Sequence, residues 1–587
     1  MSDLNSQSHS IQTIYGWYRD GKLIVNRAYQ RKLVWTLAER KKLIDSVEKR
    51  YPIPLVLLAE VKRGDTNVFE IIDGLQRLHT IMSYIENGFS DEQGRFFDVG
   101  EFPTAKRNAD EGRFDEVVDE EKLDREAITR FLDYSLPVSV IKNADDGTIT
   151  DVFGRINTYG HRLSDQEQRQ AGQLSSLAQF VRTLSSEIRG DDSVTRLPLH
   201  DMPEISIDLP NSRAGYAIKA DTVWWVEQGI LRSTDLRDSL DEQLLADWTI
   251  CVSDQIVERS KDALDRAFDE EHPDAERIGA RIGALGEENL RSRLKYIIEI
   301  IGKVVDSSSY ENLSRLVFPT RTNNSFATLF VGIGTAIYEI VFKDNKLPAD
   351  YKGISKGLEN VNGRIGKERT RDARRSNINL IKGLVQDCFS PGDVTAVVHG
   401  GNREIDLRNL LRRSKIETAH FELKQGFLSL YDGKTCDENL LEKINRTIVA
   451  ISNNGFSYDG AIVIGIADSA DCAKKIGNLH NVEPREQDGH ILVGISREAK
   501  ALDITIEQYF QKWRNSISNS KMTDELKNSV VNKMAICEVG DHSLLLIPIP
   551  PQGQPSFLDG KLYVRKGDQT IEGSAADTLA IAKRFDQ

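Results

Sequence analysis

The chain has 587 residues, with 77 Lys and Arg against 90 Asp and Glu, and a formal net charge of −13. That acid surplus excludes a protein that coats nucleic acid with its whole surface, so any contact with DNA or RNA must come from basic residues gathered locally. Cys251, Cys388, Cys436, Cys472 and Cys537 form no CxxC pair, which excludes a cysteine-type zinc site and predicts a reducing, cytoplasmic setting without disulfides.

The first ten residues are polar and lack the apolar core of an export signal. Residues 36–50 predict a helix, with Thr36 at the N-cap and Glu39 three residues on to complete a capping box. Residues 55–61 and 68–72 are β-rich runs separated by the turn-like Arg63-Gly64-Asp65. A second helix is predicted at 75–87, an exposed acidic insertion or helix face at 110–126, and strand-like alternation at 131–142. Residues 150–156 read as helical, and Ser164 with Glu167 opens a longer helix.

Polar residues crowd this first segment at characteristic spacings. Tyr29-Gln30-Arg31 precedes Val34-Trp35, then Tyr51-Pro52-Ile53-Pro54, then Ile72-Asp73-Gly74-Leu75-Gln76-Arg77. Phe153-Gly154-Arg155-Ile156-Asn157 and Leu163-Ser164 follow. A strand ending at Asp73-Gly74 lets the backbone approach a phosphate, and a helix starting there offers free N–H groups. Arg77 and Arg31 can grip phosphate oxygens bidentately. Over about residues 10–175 the pattern resembles the N-terminal domain of GmrSD-type restriction enzymes, with Leu75 where the family usually has Gln. The resemblance implies a ParB/sulfiredoxin-like α/β domain that binds or hydrolyses GTP or another NTP. Its pocket residues would be Arg31, Asp73, Gly74, Gln76, Arg77, Arg155 and Asn157. The plainer alternative makes Asp73 and Arg77 a structural ion pair at a helix start, with Trp35 in the core.

From about 177 to 387 the pattern is mostly helical, as at 236–259 and 289–305. The apolar stretch 326–342 contains Glu339 and reads as a buried helix, not a membrane span. His200-Asp201-Met202-Pro203 has the His-x-x-Pro form of the nuclease half of GmrSD proteins, but no suitably placed Asn and His follow. The strongest basic run holds Arg364, Lys367, Arg369, Arg371, Arg374 and Arg375. It is a candidate phosphate-contacting face, with a solvated helix face as the alternative. Ser390-Pro391-Gly392 and Gly400-Gly401-Asn402 mark a linker.

Beyond it the texture becomes α/β: strands at 416–424, 461–466, 543–549 and 561–565, and a helix at 438–452. In Glu417-Thr418-Ala419-His420-Phe421-Glu422-Leu423-Lys424, strand alternation puts Glu422 and Lys424 on one face. Downstream come Asn453-Asn454-Gly455, a strand running through Gly465 to Asp468, and Tyr563-Val564-Arg565-Lys566-Gly567. These four elements, in order over about 406–577, resemble the Schlafen AlbA-like domain, with residues 456–459 inserted where the family has a second Gly. The resemblance implies action on nucleic acid. In its nuclease members Glu417, Glu422 and Asp468 would be catalytic ligands of Mg2+ or Mn2+, with Lys424 steadying the developing charge. Arg412, Arg413 and Arg565, with Arg364, Lys367, Arg371 and Arg374, would contact the nucleic acid.

The fold expected is therefore α+β and multidomain: a ParB/sulfiredoxin-like α/β domain at 1–175, a helical domain at 176–390, a linker at 391–405 and a Schlafen AlbA-like α/β domain at 406–587. The function expected is an anti-phage defence effector in which a nucleotide-binding or GTPase-like N-terminal domain controls a metal-dependent nuclease acting on DNA or RNA. The alternatives are a non-catalytic DNA-binding regulator and a nucleotide-gated, tRNA-cleaving toxin. No membrane partner is expected, and a homo-oligomer is left open.

Overall fold

The computed structural model describes residues 3–27, 32–33, 35–63, 66–110, 113–142, 147–149, 152, 164–170, 175–191, 196–202, 205–206, 218–318, 320, 322, 324–367, 369–394, 403–414, 419–455 and 459–585. The chain forms two compact units, Met1–Gly401 and Asn402–Gln587. Helix outweighs strand, 53% against 18%, which places the chain in the mixed α+β class expected from its sequence.

The first unit opens with a six-stranded mixed sheet. Its strands are β1 (Asp3–Ser10), β2 (Leu23–Asn26), β3 (Val56–Arg63), β4 (Thr66–Asp73), β5 (Ser135–Lys142) and β6 (Arg196–Pro198). They lie in the order β1-β5-β3-β4-β2-β6. β3 and β4 pair antiparallel with a register shift at Leu57/Leu58, while β5 runs parallel to β3 and β2 parallel to β4. β1 pairs with β5 along its whole length, from Asp3 opposite Lys142 to Ser10 opposite Ser135. This strand was not predicted. Its sequence is polar, and an edge position tolerates polar side chains.

Three helices pack on the sheet: α1 (Ile11–Arg19), α2 (Leu37–Glu48) and α3 (Leu75–Ile85). Both halves of the Thr36/Glu39 capping box are formed at the start of α2. Ile14, Ile44, Ile71, Leu78, Ile81 and Val138 share one core, each worth about 1.5–3 kcal/mol of burial. The strand expected from 131 starts later, because Phe131 and Leu132 end the helix Arg125–Leu132, whose Asp124 cap accepts from Ala127 N–H.

The rest of this unit is mostly helical, with two short strand pairs, Ile205–Ser206 with Ile218–Lys219 and Lys346–Pro348 with Phe389–Pro391. The helix expected across 236–259 divides into Ser233–Arg237 and Leu240–Ser253, with Ser239 at φ +57° between them. The apolar stretch forms Ala327–Tyr338 and a π turn, Glu339–Lys343. Trp225 and Trp248 each meet Phe330 edge-on at 5.3 Å, and Glu339 is paired with Lys343 and Arg375. Among the described residues no helix is long and apolar enough to cross a membrane.

The second unit is built on a four-stranded sheet in the order Phe421–Lys424, Gly460–Ile464, His542–Ile549, Ala535–Val539. The first two strands are parallel, and the helix Glu438–Ser452 lies between them in sequence. Ile462 and Ile464 enter one core with Ile448 and Trp513, while Ala461 and Val463 enter another with Leu407 and Leu544. A strand covered on both faces reads as an unbroken apolar run. A hairpin, Tyr563–Lys566 with Gln569–Glu572, completes the part that shapes the site.

Candidate functional sites

In the first unit β4 delivers Asp73 to the start of α3. Gly74, between them, has φ +98°. A Cβ there would sit 3.0 Å from a Val56 methyl, so both backbone and space demand glycine. Helix α3 has no side-chain cap and no acid in its first turn, so its positive dipole end favours an anion there. Arg77, one turn along, places Nη2 2.7 Å from Asp73 Oδ2 and 3.0 Å from the Leu55 carbonyl. The structural ion pair is thus present, yet 46% of the Asp73 side chain stays exposed.

Gln76 does something the sequence does not reveal. Its Nε2 donates to the Lys32 carbonyl and its Oε1 accepts from Trp35 N–H at 3.4 Å. It therefore holds the segment that follows Tyr29-Gln30-Arg31 against the start of α3. Lys32 Nζ in turn lies 3.2 Å from both Asp241 and Glu242. These carboxylates also meet Arg189, which pairs with Asp191, and Arg27 pairs with Asp191 at 3.0 Å. Burial alone would raise the Asp241 carboxyl, but Lys32 and Arg189 outweigh it and hold it below its ordinary range. Arg31, Arg155 and Asn157 lie outside the described residues.

In the second unit a cavity of about 550 Å³ is lined by Glu422, Lys424, Lys443, Thr447, Arg565 and Asp568, among others. Glu422 Oε1 lies 2.7 Å from Lys424 Nζ, its neighbour on the same strand face. Its Oε2 lies 2.8 Å from Arg565 Nη1. Arg565 also donates to Thr570 Oγ1 at 3.1 Å and to the Phe421 carbonyl at 3.2 Å, and its side chain is only 1% exposed. Two buried residues fix these elements. Asn453 bonds the backbone of Ser556 and Tyr563 at 2.8–3.0 Å, tying the end of Glu438–Ser452 to the strand that carries Arg565. Glu498 accepts from Phe427 and Leu428 N–H and from Tyr509 hydroxyl, pinning the loop after Lys424.

The remaining expected residues are placed as follows. Asp468 is exposed just past the strand Ile466–Ala467 and does not line the cavity, and Glu417 lies outside the described residues. Among the described residues no group of three or more His, Cys, Asp or Glu is placed to hold a metal. Both Glu422 oxygens are engaged by cations, so the described residues by themselves do not assemble a Mg2+ or Mn2+ site. Arg412 is buried on Asp488 at 2.9 Å, and Arg413 reaches Asp459 at 3.1 Å and stacks over the Phe421 ring. In the first unit Arg364, Lys367 and Arg371 are exposed. Arg374 is not on that face: it is buried, bonded to Asp247 at 2.9 Å and to the Val257 carbonyl at 2.7 Å. Lys443, Thr447 and Asp568 were not anticipated. The i,i+4 spacing of Lys443 and Thr447 on a predicted helix was the available signal.

Residues 11–172 match the family model described as GmrSD restriction endonuclease, N-terminal domain. The match spans the Asp73-Gly74-Leu75-Gln76-Arg77 motif and the segment that Gln76 holds. No curated protein and no solved structure matches the chain.

Proposed function

From a GmrSD-type domain at residues 11–172, we propose that this chain is a restriction-type phage-defence protein in which the first unit binds a nucleotide and the second grips nucleic acid. The observation that carries the second half is a cavity of about 550 Å³ to which Lys424 and Lys443 are brought, with buried Arg565 behind Glu422 and with Asp568 at its wall, in a chain whose net charge is −13. Cations gathered against an acidic background are what a phosphate backbone selects. For the nucleotide, GTP or another NTP, the supporting features are the uncapped start of α3, the glycine at its N-cap and the open side of Asp73.

In this reading buried Arg565 fixes Glu422, and Glu422 orients Lys424 toward the ligand. The likeness of 406–577 to a Schlafen AlbA-like domain rests on its four motifs. A second reading, favoured by the order of those motifs, is Mg2+- or Mn2+-dependent cleavage through Glu417, Glu422 and Asp468. It requires cations to leave Glu422.

The test incubates the full chain with tRNA, single-stranded DNA and plasmid, with and without Mg2+, Mn2+, GTP and ATP. Binding without cleavage, weakened in Lys424→Ala and Lys443→Ala, supports the gripping role. Metal-dependent cleavage that disappears in Glu422→Ala replaces it with the nuclease. Failure to bind any of the three substrates overturns both.

A further inference from the structure

A second cavity, of about 310 Å³, lies in the first unit; its walls come from 165–169 and from the helical segments between 231 and 369, and none of the Asp73-Gly74-Leu75-Gln76-Arg77 residues lines it. Four cations line it, Arg169, Arg259, Lys261 and Arg369, against one lining carboxylate, Asp165. Lys261 is paired with Asp165 at 2.7 Å and Arg169 with Asp265 at 2.6 Å. Arg259 and Arg369 are less well served. They are brought together by the backbone, Arg259 N–H donating to the Arg369 carbonyl at 3.0 Å. The carboxylate nearest Arg259 is Asp247, and it is engaged by Arg374 at 2.9 Å while Arg259 Nε stands 3.9 Å away. Among the described residues Arg369 has no ion pair. Burial, and after it the Arg374 and Arg369 charges, hold the Arg259 guanidinium below its ordinary range despite Asp247. Guanidiniums crowded round one carboxylate are relieved by a further anion.

Two other features of the wall suit the same guest. Thr328, whose hydroxyl accepts from Arg259 Nη1, stands in the first turn of Ala327–Tyr338. That helix has no side-chain cap and no acid in its first turn, so its positive end adds to the field. The apolar side chains of Leu231, Leu240 and Leu264 line the cavity as well. A volume near 300 Å³ with an apolar wall and a few convergent charges is the lower end of what small-molecule sites use.

We propose that this cavity binds a small phosphate-bearing molecule, with the phosphate at Arg259, Arg369 and the start of Ala327–Tyr338 and its less polar part against the leucines. The inference does not rest on the proposed function of either unit. It predicts an anion site independent of the Asp73 motif.

Titration calorimetry of the full chain at about 0.15 M salt, with pyrophosphate and adenosine monophosphate as probes, tests it. Arg369 is exposed, so Arg369→Ala and Arg369→Glu should fold normally, as circular dichroism will verify. The expected result is saturable binding of at least one probe that weakens about tenfold in Arg369→Ala, more in Arg369→Glu, and is unchanged in Arg77→Ala. Absence of binding at millimolar probe, or binding lost in Arg77→Ala and untouched in both Arg369 variants, overturns the proposal.

Discussion

Arg565 and Glu422, 143 residues apart in sequence, meet at 2.8 Å, with Lys424 on the other carboxylate oxygen at 2.7 Å. The pair joins the terminal hairpin of the second unit to the first strand of its sheet, and it sits in the wall of the cavity proposed to grip phosphate. A carboxylate with two cationic partners serves better as an orienting anion than as a metal ligand, because a metal must displace charge already in place.

Truncating Arg565 removes the buried half of this pair. Arg565→Ala should lower the stability of the second unit by about 3 kcal/mol, the cost of a partly buried charge left short of a partner. Arg565→Ala combined with Glu422→Gln should recover part of that loss. Denaturant midpoints of the single and double variants check it, and equal midpoints for the two would argue against the pairing energetics.

Gln76 gives the first unit its most specific test. Gln76→Ala breaks bonds to the Lys32 carbonyl and Trp35 N–H, which costs about 1–2 kcal/mol of order in the segment leading from Tyr29-Gln30-Arg31. Nucleotide affinity should fall about tenfold. Gln76→Glu should fall as far, because it loses the donor to Lys32. Fluorescent-nucleotide titrations distinguish this from a residue that merely borders the site.

The pH dependence of the first unit should carry the mark of Glu86. Burial pushes its carboxyl from 4.5 up to about 7, against the hydrogen bonds donated by Tyr18 and Tyr15. Between those values the folded state keeps a proton that the unfolded chain has released. Stability therefore falls as the pH rises through this window and levels off above it, by about 3 kcal/mol in all. Urea midpoints from pH 5 to 8 should show the decline, and Glu86→Gln should flatten it.

Lys443 is exposed at the cavity and on the proposed path of the backbone. Lys443→Ala should leave the fold intact and reduce the slope of log affinity for nucleic acid against log salt by about 0.7–0.9, the share of one phosphate contact. An unchanged slope would remove Lys443 from the interface.

Arg374 and Arg371, neighbours in the same basic run, should behave as opposites. Arg374→Ala should destabilise the first unit by about 3 kcal/mol, since it strands Asp247. Arg371→Ala, on the surface, should stay within about 0.5 kcal/mol of the parent. Thermal unfolding of the two variants measures the difference.

Local chemistry was legible in the amino acids. The Thr36/Glu39 capping box, the strand that ends at Asp73-Gly74, and the shared face of Glu422 and Lys424 all depend on residues within a few positions of one another. The family match likewise rests on motifs that survive as short strings. The polar strand β1 was hidden, because at a sheet edge its backbone pairing carries it without an apolar pattern to announce it. Burial was hidden too: nothing in a basic run says that Arg374 turns inward to Asp247 while Arg371 faces out.

What only the tertiary structure decided is which charges meet. Gln76 with Lys32, Arg565 with Glu422, and Arg259 beside Arg369 are each brought together by sheet pairing, helix packing or a loop that returns from far along the chain. Composition and periodicity determined the fold class and most of the elements, though not β1 or the break at Ser239. The partners of the charged groups were set by the closing of the chain on itself, where the energy of an ion depends on its surroundings and not on its neighbours in sequence.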